Sequence, residues 1–153
     1  MRLSKIALSG LLSLLAGSCT PQPSLALIDA NLPSASGRAR VLFTTYTATY
    51  ANNQAVVTFS DGAGNVMTFQ LKGASGGLAQ QTYDIDGSQN SFEAQLVITS
   101  NLENQTFTVS GTGGYVNVTS ANVNGSTLTG FAGDFLVNFN DGGAGQGTFN
   151  TND

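Results

Sequence analysis

The chain has 153 residues, room for one domain, and a formal net charge of −4, with 9% of its residues charged against about a quarter in an average globular protein. It contains no His and no Trp, which excludes a Ser/His/Asp triad, an imidazole general base and an imidazole metal ligand. The mild acidity also argues against nucleic acid, whose phosphates call for a basic stripe.

Arg2 and Lys5 precede an apolar run from Ile6 to Ala16. That run is too short to cross a bilayer, which takes about 20 apolar residues, and it has the length of a secretory signal. The small residues Ala16, Gly17 and Ser18 then lead into Cys19, the single cysteine of the chain.

The segment Ala16-Gly17-Ser18-Cys19 resembles the lipobox of bacterial lipoprotein precursors. The resemblance implies that residues 1–18 are a signal peptide cut before Cys19. It also implies that the Cys19 thiol carries diacylglycerol, and that the freed amino group is acylated by a fatty acid such as palmitate. Ala16 stands where that family most often has Leu, and Leu15 lies one residue away. The alternative is an ordinary signal peptide cut near Ala16 to Ser18, which would leave a secreted or periplasmic protein with a free or paired thiol. A lone exposed thiol is a liability in an oxidising compartment, which favours the lipid. Thr20, not Asp, follows the cysteine. Under enterobacteria-like sorting this points to the outer membrane or cell surface. The only partner implied here is the membrane itself, through the anchor.

Residues 19–39 are expected to form the lipid-anchored linker, because the stretch Thr20 to Gly37 holds all three prolines and many small residues. Leu25-Ala26-Leu27-Ile28 is the one apolar interruption. It either docks on the domain as a short strand or lies at the membrane surface.

From residue 40 to 153 the hydrophobic period is two, and an all-β domain is expected. Strand-like runs occupy 41–50, 54–60, 65–71, 91–99, 105–111, 114–120, 126–133, 134–140 and 145–151. Asp61-Gly62-Ala63-Gly64 marks a hairpin, and Gly, Asn and Asp recur between the other runs. The spacing predicts an antiparallel β-sandwich or a small β-barrel of about eight to ten strands. Alternation alone does not separate the two, since both bury one face of each strand.

The second half, through Thr82-Tyr83-Asp84-Ile85, the run 92–100, Gly133-Asp134-Phe135 and Gly147-Thr148-Phe149, resembles uncharacterised all-β lipoprotein domains of Bacteroidota. Gln81 replaces the glycine of that family's first motif. The resemblance implies a fold and a location, and no activity.

Candidate sites are few. Asp84, Asp86 and Asn90 space oxygens around Gly87, a pattern that suits Ca²⁺ or, more simply, a turn bonded to its own backbone. The glycines of 60–65 and 140–147 lack the Lys-Ser/Thr pair of a phosphate loop. The nine acids fall mostly in turns and offer no evident carboxylate pair for glycoside hydrolysis, so no enzyme is expected. No cofactor beyond the lipid on Cys19 is implied. Tyr46 and Tyr50 share one face of a strand and, with Tyr83 and Tyr115, supply either a binding face or core.

The expectation is a non-enzymatic, membrane-anchored envelope lipoprotein whose β-domain binds a protein or glycan partner. The alternatives are a lipocalin-like carrier of a small ligand and a purely structural envelope lipoprotein.

Overall fold

A computed structural model gives the fold; it describes residues 25–33, 37–73, 78–85, 93–100 and 106–152. Among these residues ten strands are formed: β1 Ala26–Leu32, β2 Gly37–Phe43, β3 Thr45–Ala51, β4 Gln54–Ser60, β5 Val66–Lys72, β6 Thr82–Asp84, β7 Glu93–Ser100, β8 Phe107–Asn124, β9 Thr127–Phe139 and β10 Ala144–Asn150.

The local chemistry of the turns sets the hairpins. Between β3 and β4 stand Asn52 (φ 52°) and Asn53 (φ 62°), a two-residue loop with both residues left-handed, the type I′ geometry that matches strand twist. Asn takes this conformation more readily than most residues. Between β8 and β9, Gly125 (φ 61°) precedes Ser126, the φ pattern of a type II′ turn.

The β4–β5 loop is organised by one carboxylate. Asp61 Oδ1 accepts from the backbone N–H of Ala63 (2.8 Å) and of Asn65 (3.0 Å), and Oδ2 accepts from the Asn65 amide. Partial burial pushes the Asp61 pKa up, but these hydrogen bonds outweigh it and hold the group below the ordinary value of 3.8. A depressed folded pKa means the stabilisation is present above the unfolded value and is lost as pH falls through the folded one. Asp61→Ala is therefore expected to destabilise by under about 1 kcal/mol at neutral pH, given the exposure of the loop. The difference from wild type should vanish in strong acid, which urea unfolding at the two pH values measures.

The strands make one ladder in the order β2-β1-β10-β9-β8-β6-β7-β5-β4-β3. All its registered pairs are antiparallel except the single contact Asp84↔Glu93 between β6 and β7. The ladder is folded over so that its two halves face each other. β8 spans the fold: its residues 107–110 pair with β7, and 111–124 pair with β9 through three register shifts. Such bulges bend a long strand and increase its twist. The two ends of the ladder, β2 and β3, are consecutive in the chain and joined by Thr44 alone, yet they share no ladder pairing. The fold is thus an all-β sandwich and is not closed into a barrel.

Phenyl rings fill the space between the halves. Phe69 of β5 lies 5.2 Å, centroid to centroid, from both Phe135 of β9 and Phe149 of β10. Phe59 of β4 meets Phe43 at 6.5 Å and Phe149 at 6.3 Å, and Phe131 stacks on Phe149 at 4.4 Å. The inward row of each strand completes this core, with Ala55, Val57 and Phe59 on β4 and Met67, Phe69 and Leu71 on β5 all buried.

Two sequence boundaries shift. The linker expected to run to residue 39 contains β1 and the start of β2. β1 is an interior strand between β2 and β10, burying Ala26, Ile28 and Ala30. The leucine-rich interruption docks because its alternation supplies an inward row. The expected breaks after 111 and at 133–134 are also absent, since β8 and β9 run through their glycines. Those glycines serve close packing between strands, where a Cβ at Gly114 or Gly133 would overlap a neighbouring backbone carbonyl.

Candidate binding face

The outer face of the β2-β1-β10-β9-β8 half is built in rows by the strand register. Arg40 stands opposite Asp29, Asp29 opposite Gln146, Gln146 opposite Leu136, and Leu136 opposite Tyr115. One step along the strands, the row is Arg38, Asn31, Ala144 and Asn138. One step the other way it is Leu42, Leu27, Thr148, Asp134 and Asn117. Two shallow hollows lie side by side on these rows and share Asp29, Leu136 and Gln146. Together they form an open trough from Arg38 to Tyr115.

Arg38 grips Asp29 with two hydrogen bonds, Nε to Oδ1 at 2.7 Å and Nη2 to Oδ2 at 2.6 Å. The Arg38 hydrogen bond holds the Asp29 carboxyl below its usual range, and the same contact raises the Arg38 pKa. The pair is open to water, so its value is orientation more than stability. It fixes an acceptor and a guanidinium plane at one end of the trough. The Arg40 guanidinium makes no hydrogen bond to a described side chain and lies with Tyr115, Leu136 and Gln146 around the second hollow. Asp134 is occupied, accepting from the Asn117 amide at 2.9 Å. Tyr115 and Leu136 are each more than one-third exposed, although they belong to strands whose other faces are core. The face therefore offers planar hydrogen-bonding groups around an aromatic and an aliphatic side chain, an arrangement suited to binding.

Of the described residues singled out in the sequence as candidate sites, Tyr115 lines the trough and the others do not. Tyr46 and Tyr50 do share a face of β3; both are half-buried against the core, with the Tyr46 ring 6.2 Å from Phe59. Tyr46 also borders a small hollow with Asn122, Thr129 and Asn152, and the Tyr50 hydroxyl approaches the Asn53 amide oxygen at 3.4 Å. Tyr83 is buried, its hydroxyl donating to the Ala79 carbonyl and accepting from the Ala79 N–H, each at 3.0 Å. Asp84 is exposed on β6 opposite Tyr115. Asp86 and Asn90, its companions in the Ca²⁺ expectation, lie outside the described residues, as does Cys19. Among the described residues no three His, Cys, Asp or Glu side chains cluster as metal ligands.

Arg38, Arg40 and Gln146 were not legible as site residues, since nothing local in the sequence joins positions 38 and 146. Besides Tyr115, a local signal was present: in Asp134-Phe135-Leu136-Val137-Asn138-Phe139 the apolar row is Phe135, Val137 and Phe139, which leaves Leu136 apolar on the polar side. No family model, curated protein or solved structure matches the chain.

Proposed function

We propose that this chain is an exported lipoprotein, anchored through Cys19 in the outer membrane, whose β-sandwich binds a glycan along the trough between Arg38 and Tyr115. The anchor rests on the apolar signal segment and on Ala16-Gly17-Ser18-Cys19. The glycan rests on one observation, the row of Arg40, Asp29, Gln146, Leu136 and Tyr115 across five strands. Guanidinium, carboxylate and amide groups match the donors and acceptors of sugar hydroxyls, and a tyrosine ring packs on the apolar face of a sugar. A rigid sheet holds these groups at fixed spacing, so little ordering cost falls on binding. The carrier alternative draws no comparable support, because phenyl rings occupy the space between the layers where a cargo would sit.

The test is binding of the purified protein to a panel of immobilised polysaccharides, wild type against Tyr115→Ala and Arg40→Ala. Each variant is expected to weaken the retained saccharide by about ten-fold or more, the 1.4 kcal/mol of a modest hot spot. Both should keep the wild-type melting temperature, since these side chains lie outside the core. Binding of a protein partner and of no saccharide would replace the glycan with a protein.

A further inference from the structure

The proposed anchor lies close to the sheet. Leu25, the first described residue, is six residues beyond Cys19, and six fully extended residues span about 20 Å. That is less than the length of a seven-residue strand, about 23 Å. The end of the sandwich at which β1 starts therefore stays near the bilayer.

An apolar corner lies at that end. Leu25 N–H donates to the Phe43 carbonyl at 2.7 Å, which pins the chain exit beside the end of β2. Leu27 stands directly opposite Leu42 on the outer face. Leu42 is 51% exposed, the highest value among the large apolar side chains described. Behind it along the same edge strand come Arg40 and Arg38, two of the three cations that remain once the signal segment is removed. The row of the leucines also carries Asp134, held by the Asn117 amide, and Arg38 is held by Asp29, so the two leucines nearest the anchor and Arg40 behind them are the groups that suit the interface of a bilayer.

We propose that the Leu27–Leu42 corner rests in the interfacial layer of the bilayer that holds Cys19, with Arg40 facing anionic headgroups. The inference rests on the lipid anchor proposed above. It sets the orientation of the domain: the row carrying Arg40, Gln146 and Tyr115 lies two residues further along the strands, about 7 Å from the row at the membrane. The ligand of the trough is then a glycan borne at the membrane surface.

The test uses the full lipidated protein in vesicles of zwitterionic and anionic phospholipid doped with a headgroup nitroxide lipid. A fluorophore is attached at Thr148→Cys, opposite Leu27, or at Ala144→Cys, on the same strand and about 13 Å away. Both substitutions keep the leucines. Acylated Cys19 has no free thiol, so one label per chain is expected. The proposal predicts several-fold stronger quenching at 148 than at 144, and loss of that difference when Leu42→Ser is added. Equal quenching at the two positions would overturn it. So would shielding of position 148 that follows protein density and ignores the nitroxide, since a second copy would then cover the corner. Two labels per chain would show an unmodified Cys19 and would remove the anchor reading together with the contact.

Discussion

Gly147→Ala and Gly133→Ala are each expected to lower stability by about 3 kcal/mol or more, the upper range for inserting atoms into a filled core. The register explains why. Gly147 on β10 stands opposite Phe135 on β9, and Phe149 on β10 stands opposite Gly133 on β9. The two Gly-x-Phe triplets are thus reciprocal, each glycine facing the phenylalanine of the other strand. A Cβ at Gly147 would overlap the Leu27 carbonyl oxygen and come within 2.6 Å of Phe135 Cζ. A Cβ at Gly133 would overlap the Asn117 carbonyl oxygen and come within 2.7 Å of Phe149 Cζ. Neither site can relax by moving one flexible side-chain tip, because backbone blocks one side and a packed ring the other. Gly62 is the internal control. A Cβ there meets nothing within 4 Å, and the cost is only that of placing alanine at φ +74°, about 1–2 kcal/mol. Urea unfolding of the three variants measures the order directly. Midpoints for Gly147→Ala and Gly133→Ala no lower than that of Gly62→Ala would mean that rings over glycines do not hold β9 to β10.

Phe69→Ala is expected to cost about 3–5 kcal/mol, as truncation of a buried aromatic ring does. Domains of this size are stable by about 5–15 kcal/mol in total, so a large share of the fold's stability rests on this ring. Phe69 is the hub that connects the two layers. Its ring contacts Phe59 at 6.0 Å within its own half, and Phe131, Phe135 and Phe149 at 6.4, 5.2 and 5.2 Å across the sandwich. Phe43→Ala removes a ring with one such contact among the described residues, to Phe59, and should cost less. Thermal unfolding monitored by circular dichroism compares the pair. Equal losses would mean that the four ring contacts of Phe69 add nothing beyond burial of its own surface.

Much of this fold was legible because one face of each strand is buried and the side-chain period is two. The inward rows of β4 and β5 could be read directly, and so could the Asp61 turn between them. β1 was harder. It sits among prolines, its inward residues include the small Ala26 and Ala30, and its outward row carries Asp29. Its small inward side chains make sense only beside β10, where a Cβ at Gly145 would sit 3.0 Å from that of Ala30. Glycine was the other source of error. In isolation it signals a turn, but in β8, β9 and β10 it marks backbone held too close for a side chain. The trough was almost wholly hidden. Its central row joins residues 29, 40, 115, 136 and 146 through non-local pairings, and only the outward Leu136 and the tyrosine at 115 hinted at it. Tyr46 and Tyr50 were grouped on one face, but whether that face met core or solvent depended on which way β3 turned.

The proposed function turns on a lipid at Cys19 that anchors this sandwich to a membrane. Metabolic labelling with a fatty acid, wild type against Cys19→Ala, followed by membrane fractionation, tests it most directly. Label and membrane association are expected for wild type, and neither for Cys19→Ala. Wild-type protein without label, recovered from the soluble fraction, would contradict it and leave a secreted β-sandwich with an unmodified thiol.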